Sequence, residues 1–375
     1  MSRDVLIDQT IEVLRHAGFL VSDRCDIRPR SFDIAARRGD TLLLCKILQN
    51  VDGLTEETAN EMQLLAEILG GTPLVIGEKA RDQPFEDSVI YMRYKIVAVN
   101  IQTFYDYFIE GVTPLVSASP GGLYVAVNGS ALKEARLEKN LSLGSLAGMV
   151  GVSRRTISKY EDEGMNASIE TVLMLEDFLR VELAQPIDLL NPAVLTHSKK
   201  QDAEPQGQPF GKTGAPDFSS PVPSKIGGTA SATTVAASAT AAAAAATAAA
   251  AATMTAAGKE SPETTAENEL LSYVSTLGFD VKATDHAPFK AISKDKNSVI
   301  LTGAGKYSPA IIKRAHLMSS ISDVFQTESV YLIDGNSKVK SVESTAFIEK
   351  KELVRMNGPE ELIETIEERK VPEKK

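Results

Sequence analysis

Leu141-Ser142-Leu143-Gly144-Ser145-Leu146-Ala147-Gly148-Met149-Val150-Gly151-Val152-Ser153-Arg154-Arg155-Thr156-Ile157-Ser158-Lys159-Tyr160-Glu161 reads as two short helices joined by one tight turn. Leu146 and Ala147 fall on the inner face of the first helix. Val150 and Val152 flank Gly151, the residue type that most readily takes a left-handed turn. Ser153 is then an N-cap for a new helix, because its hydroxyl can accept from a backbone N–H of the first turn. In that helix Ile157 and Tyr160 repeat at helical spacing and point inward, while Arg154, Arg155, Ser158 and Lys159 point outward. A short capped helix with a basic outer face, held across another helix, has the geometry that fits the DNA major groove.

Together with its flanks, this stretch resembles the helix-turn-helix domain of the Cro and phage-repressor type. The resemblance covers about sixty residues and implies an all-α domain of five helices. These would be 130–139, 142–149, the recognition helix 153–162, 168–179 with Ile169, Val172, Leu173, Leu175 and Leu179 apolar, and a last turn over 186–190. It implies that Arg154, Arg155 and Lys159 touch base edges, with Ser153 and Ser158 on the same DNA-facing surface. It also implies an ion pair between Arg136 on the first helix and Glu161 at the end of the recognition helix. The sequence departs from that family at Leu143, where many members carry a Gln that touches the DNA backbone. It departs again at Asp162-Glu163-Gly164, an acidic loop that would repel phosphate.

The 375 residues carry a net charge of −10, so DNA contact must be local to one helix face rather than spread over a basic coat. Cys25 and Cys45 are the two cysteines; lying in apolar, strand-like runs, they read as buried thiols of a reducing compartment. The histidines His16, His197, His286 and His316 have no metal-ligand spacing to each other or to cysteine. No convincing membrane span or signal peptide is present, which gives the expectation of a soluble, cytoplasmic protein.

Four segments follow from the composition: 1–128, an α/β domain; 129–192, the helix-turn-helix; 196–268, rich in Ala, Pro, Ser and Thr and read as a mobile, disordered linker; and 269–375, a second α/β unit expected to fold separately. The two α/β units share an internal repeat. Val13 to Val21 closes a helix and opens a strand, as Val274 to Val281 does downstream. The hairpin from Phe32 through Arg37-Arg38-Gly39-Asp40 to Leu44 matches Phe289 through Lys294-Asp295-Lys296-Asn297 to Leu301 without a gap. Each copy continues with a helix (59–69; 308–325) and a buried strand (74–76; 330–333), and Val99 and Phe104 are aligned with Val342 and Phe347. The ungapped hairpin and common element order indicate duplication. The stretch Phe104-Tyr105-Asp106-Tyr107-Phe108 reads as a helix packed on the core, and 360–375 as a solvated helix that frays.

The first repeat resembles the restriction-endonuclease-like fold, particularly archaeal Holliday-junction resolvases, so the fold class expected is a duplicated α/β unit of that type plus the helix-turn-helix domain. In those enzymes a helix acid, an Asp at the hairpin and a Glu-x-Lys bind a divalent metal. Asp33 and Lys46 match the Asp and the Lys; Leu44 stands at the Glu, and Asp8 or Glu12 could be the helix acid. The second repeat has Lys290, Leu301 and Gly303 at the corresponding positions. Asp33 and Lys46 therefore read as a structural ion pair, with no catalytic residue, no metal site and no cofactor.

The whole chain is similar to a family of archaeal HTH-type transcriptional regulators with an α/β N-terminal domain, in which Pro120-Gly121-Gly122-Leu123-Tyr124-Val125 is a second motif. The reading is a sequence-specific DNA-binding regulator that is not an enzyme. Its partner is double-stranded DNA, bound as a homodimer, with no membrane and no small-molecule ligand evident. An antitoxin-like or scaffold protein that docks through the helix-turn-helix, and a metal-dependent nuclease, are the alternative readings.

Overall fold

The computed structural model describes residues 2–28, 30–162, 164–191, 262–296 and 298–370. The alanine tract, and the expected linker up to residue 261, lie outside the described residues. The last part of that expected linker is helical instead, within Pro262–Thr276.

The chain opens with α1 (Arg3–His16), whose first turn is capped by the Ser2 side chain accepting from the Val5 N–H. Its stripe of Leu6, Ile7, Val13 and Leu14 is buried. Then come β1 (Leu20–Val21), the hairpin β2 (Ile34–Arg38) and β3 (Thr41–Asn50), α2 (Glu56–Leu69) and β4 (Thr72–Ala80). After the short β5 (Gln83–Pro84) follow β6 (Val89–Arg93), β7 (Ile96–Val99) and α3 (Ile101–Tyr105), which runs on into a π-helical turn. The strands order as β1-β2-β3-β4-β7-β6. The pairs β3–β4 and β4–β7 are parallel and the other neighbours antiparallel. Alternation along β3 separates two cores. Leu43, Cys45 and Ile47 join Leu6 and Leu14 on the α1 side, while Leu42 and Leu44 face the opposite way. As expected, Phe104 is buried and its ring packs on that of Phe108 at 4.8 Å.

Strands β8 (Val116–Ser119) and β9 (Gly122–Ala126) form a hairpin across the Pro120-Gly121 turn. The helices α4 (Gly129–Glu138), α5 (Leu143–Val150) and α6 (Arg154–Asp162) follow, then β10 (Asn166–Ser168) and α7 (Ile169–Leu179). Strand β10 pairs with β9, and β8 pairs with β6 of the α/β lobe. The helical region is therefore wired to the first lobe through one continuous sheet, across the expected boundary at 128/129.

The last helical turn expected over 186–190 is not formed. Gln185 donates to the Ala126 carbonyl at 2.8 Å and Ile187 to that of Pro114 at 2.9 Å. Ile187 and Leu189 are buried in the α1-side core of the first lobe, and the Tyr107 hydroxyl donates to Asp188. The segment is an irregular strap instead of the turn that the resemblance implied, because its apolar residues pack on another domain. Among the described residues the region has four helices, not five.

The C-terminal lobe comprises α8 (Pro262–Thr276), β11 (Asp280–Ala283), β12 (Ala291–Lys294), β13 (Val299–Gly305), α9 (Pro309–Phe325), β14 (Glu328–Ile333), β15 (Ser341–Val342), β16 (Thr345–Glu349), α10 (Lys350–Leu353) and α11 (Pro359–Arg369). Its order, β11-β12-β13-β14-β16-β15, repeats that of the first lobe with the same sense at every pairing. The hairpins share register: Ala35 faces Leu44, and Ile292 faces Leu301. The tail alignment needs correction. Ala98 pairs with Val75 where Phe347 pairs with Tyr331, so Phe347 matches a residue of β7 and not Phe104 on α3. Nor is 360–369 simply solvated, since Leu362 and Ile366 are buried against Val330, Leu332 and Ile348.

The two lobes are not separate units. Phe32, Ala35, Leu44 and Leu65 lie in one buried cluster with their counterparts Phe289, Ile292, Leu301 and Ile321. Equivalent surfaces thus meet as in an isologous dimer, here within one chain. Phe32 and Phe325 rings lie 6.1 Å apart. Arg37 caps the end of α9 by donating to the Val324 and Phe325 carbonyls at 2.7 and 3.2 Å. Glu61 on α2 accepts from the Asp285 and His286 N–H groups at 2.9 and 2.8 Å. Reciprocally, Ser320 on α9 accepts from the Asp23 N–H at 2.7 Å. Among the described residues no helix is long and apolar enough to cross a membrane.

Candidate nucleic-acid interface

Local chemistry sets each turn of the α5–α6 pair. The Ser142 hydroxyl accepts from the Ser145 N–H at 3.0 Å and starts α5. Gly151 ends it at φ 76°, donating to the Ala147 carbonyl; a side chain would be strained there. Ser153 caps α6 by accepting from the Thr156 N–H at 3.0 Å, so its hydroxyl is already engaged. Ile157 and Tyr160 turn inward to the core of Leu132, Leu146, Ala147, Val150 and Leu175.

Arg154 and Arg155 are exposed in the first turn of α6. Their charges add to the positive end of the helix dipole, making this end of α6 favourable for an anion. Ser158 and Lys159 are half-buried one turn on. Ser158 donates to Asp162 at 3.1 Å, and Asp162 also meets Lys133 at 3.5 Å in an exposed pair. The negative charge anticipated at 162–164 is thus partly offset at Asp162.

Two contacts lock α6 onto α4. Arg136 donates to both carboxylate oxygens of Glu161, and to the Leu141 carbonyl at 2.8 Å. Hydrogen bonding to Glu161 holds the Arg136 guanidinium above even its usual high pKa. At Gly129 the backbones of α4 and α6 nearly touch. A Cβ there would lie 2.4 Å from the Tyr160 and Glu161 carbonyl oxygens, so no other residue fits without moving α6.

The second cluster surrounds Asp33, which is buried at the start of the hairpin. Its Oδ1 takes Arg3 at 2.5 Å and Arg30 at 2.8 Å, with Lys46 at 4.0 Å. Its Oδ2 accepts the Ile47 N–H at 2.7 Å. The expected pairing with Lys46 is thus the loosest of three; Lys46 donates instead to the Arg30 carbonyl at 2.7 Å. Asp8 and Glu12 are exposed, and α1 sends Arg3, a cation, to this place. Leu44 is fully buried in the interlobe cluster. These residues do not fit a divalent cation, which needs several oxygen ligands. Among the described residues no group of three or more His, Cys, Asp and Glu could hold a metal. In the second lobe the space over Gly303 is filled by the Tyr331 ring, which a Cβ would meet at 2.5 Å. Glu267 on α8 and Lys290 form a 2.8 Å pair there, the reverse polarity of Arg3 and Asp33.

Sequence reasoning found Asp33 and Lys46 but missed Arg3 and Arg30. The alternating Arg24, Asp26, Arg28 and Arg30 was the available signal, in a segment with no periodicity to say where it points.

Residues 3–114 match the PD-(D/E)XK superfamily domain, and residues 132–185 match the Helix-turn-helix family. Archaeal proteins named HTH-type transcriptional regulatory protein are similar to the chain over nearly its whole length. That of Methanosarcina acetivorans is 51% identical over 375 residues, covering 99% of this chain and 98% of its own. That of Methanosarcina barkeri is 52% identical over 371 residues, with 99% and 98% covered. That of Halorubrum lacusprofundi is 41% identical over 373 residues, with 98% of each covered. No solved structure matches.

Proposed function

Since the chain belongs to this archaeal family of HTH-type transcriptional regulatory proteins, we propose that it is a sequence-specific DNA-binding regulator and not an enzyme. Helix α6 lies in the major groove. Arg154, Arg155 and Lys159 reach base edges or phosphates, with Ser153 and Ser158 beside them. The observation that carries this reading is the capped α6, with two exposed arginines in its first turn, on a chain of net charge −10. Sequence information enters through few residues, and the acidic remainder suppresses non-specific binding.

The protein acts as a homodimer on a two-fold site, with half-sites about one DNA turn apart. The interlobe surface is already consumed within one chain. The exposed Leu173, Met174 and Phe178 on α7 support a contact between helix-turn-helix regions instead. The C-terminal lobe is a degenerate copy of the PD-(D/E)XK domain, a reading supported by its strand order and hairpin register. The domains are 1–128, 129–192 and a C-terminal lobe that begins with α8 at Pro262 rather than at 269, with the helix-turn-helix fixed to the first by the shared sheet.

Selection of bound duplexes from a random pool with the full chain tests the proposal. A palindromic consensus is expected. Arg155→Ala should cost about 1–3 kcal/mol at one position if it reads a guanine, or weaken all sequences alike if it touches phosphate. Recovery of no consensus, with affinity unchanged in Arg155→Ala, would leave the helix-turn-helix as a protein-docking module.

A further inference from the structure

Beside Asp33 the first lobe carries a cleft of about 540 Å³ whose lining includes Arg3, Arg28, Arg30, Lys46 and Thr58. Three of the four cations, Arg3, Arg30 and Lys46, meet Asp33, which is only 1% exposed, and the exposed Asp4 adds a second negative charge near Arg3 and Arg30. Arg3, Arg30 and Lys46 keep 25%, 12% and 10% of their side chains accessible, and Arg28 is exposed. Arg3 uses donors on Asp33 and the Ile47 carbonyl, and Arg30 on Asp33 and the Cys25 carbonyl. A guanidinium has five N–H donors, more than these partners use. Such an excess of like charge is costly unless an anion completes it.

We propose that this cleft binds the phosphate group of a small ligand, of the phosphate-monoester, pyrophosphate or nucleotide class, and that the site stands independently of DNA binding by α6. The guanidiniums offer planar, charge-assisted donors that match phosphate oxygens. The volume is that of a small-molecule site. A compact anion fits better than a duplex. Exposed Asp4, Asp26, Glu56 and Glu57 stand within two residues of lining positions, and would repel the successive phosphates of a DNA backbone. Burial, opposed by Asp33 and reinforced by Arg30 and Arg3, lowers the Lys46 pKa, and a bound anion would act with Asp33 to hold its charge.

The test is isothermal titration of the full-length protein with inorganic pyrophosphate and with ADP, at low salt. Saturable binding is expected. Lys46→Met should weaken it roughly tenfold, and Arg28→Gln severalfold. Arg28 is exposed, so Arg28→Gln stays informative even where Lys46→Met unfolds, as a thermal melt would report. Duplex affinity should be unchanged in Arg28→Gln. Absence of saturable binding to either probe overturns the proposal. So does binding indifferent to Arg28→Gln, and so does an Arg28→Gln variant that loses duplex affinity while pyrophosphate binding is unchanged.

Discussion

Arg136 on α4 and Glu161 at the end of α6 form a bidentate ion pair at 2.6 and 2.9 Å, with only 9% and 3% of their side chains exposed. This pair fixes how far α6 projects from the domain. Either single Ala variant leaves a buried charge unpaired and should cost about 3–5 kcal/mol. In a double-mutant cycle the coupling should exceed the ~1 kcal/mol ceiling of exposed pairs. Urea unfolding of the four proteins measures both. Coupling below that ceiling would mean the pair is solvated in solution.

The shared interlobe core predicts that the halves hold together without a covalent connection. A protease site inserted between residues 200 and 250 and then cleaved should leave both fragments co-eluting in gel filtration. Phe325→Ala removes the ring that meets Phe32, and should cost about 3–5 kcal/mol and loosen the nicked complex. Separate elution of the intact-sequence halves would restore the picture of two independent units.

The sequence made the helix-turn-helix legible because its signals are local. Ser142, Gly151, Ser153 and the Ile157–Tyr160 spacing each act within a turn of themselves. The duplicated hairpin was legible too, since an ungapped match preserves register, and Ala35–Leu44 and Ile292–Leu301 prove equivalent. What was not legible depends on distant partners. Leu44 looked like a lost metal ligand; its neighbours across the interface show why a carboxylate is absent. Gly129 carries no local signal, and only the α6 carbonyls against it explain the glycine. The resemblance implied a helical turn over 186–190, but Ile187 and Leu189 are bound to another domain.

Cys25 and Cys45 are free and buried, as expected, although Cys25 sits in a loop rather than a strand. Burial pushes their thiols up to about 11 and about 12. At pH 8 the neutral form dominates, so iodoacetamide should label neither in the native protein and both in urea. The linkage has a definite sign. Above pH 9 the unfolded thiols ionise while the folded ones hold their protons, so stability should fall from pH 9 up to about 11 for Cys25 and about 12 for Cys45. Rapid labelling of the native protein at pH 8 would show that the loop opens locally at Cys25 or the hairpin at Cys45.

Asp33 is held by cations where a nuclease of this fold would hold a metal, and this fixes the outcome of restoring the motif. Its Oδ1 is occupied by Arg3 and Arg30 and its Oδ2 by the Ile47 N–H. Mg²⁺ would have to displace two guanidiniums with one carboxylate as its main ligand, too few hard oxygens for a fixed octahedral site. Adding the missing oxygen does not help, because Leu44 points into the interlobe core. Leu44→Glu should therefore destabilise by about 3–5 kcal/mol through an unpaired buried charge, and create no cleavage activity. Asp33→Asn should also destabilise, since Arg3 and Arg30 lose their counter-charge, and Mg²⁺ should leave the melting temperature of the wild type unmoved. Thermal melts with and without Mg²⁺, and incubation of branched and linear duplexes with each variant, decide the matter. An Mg²⁺-dependent rise in Tm, or cleavage that vanishes in Asp33→Asn, would mean that the guanidiniums swing away and that the lobe still works as a nuclease.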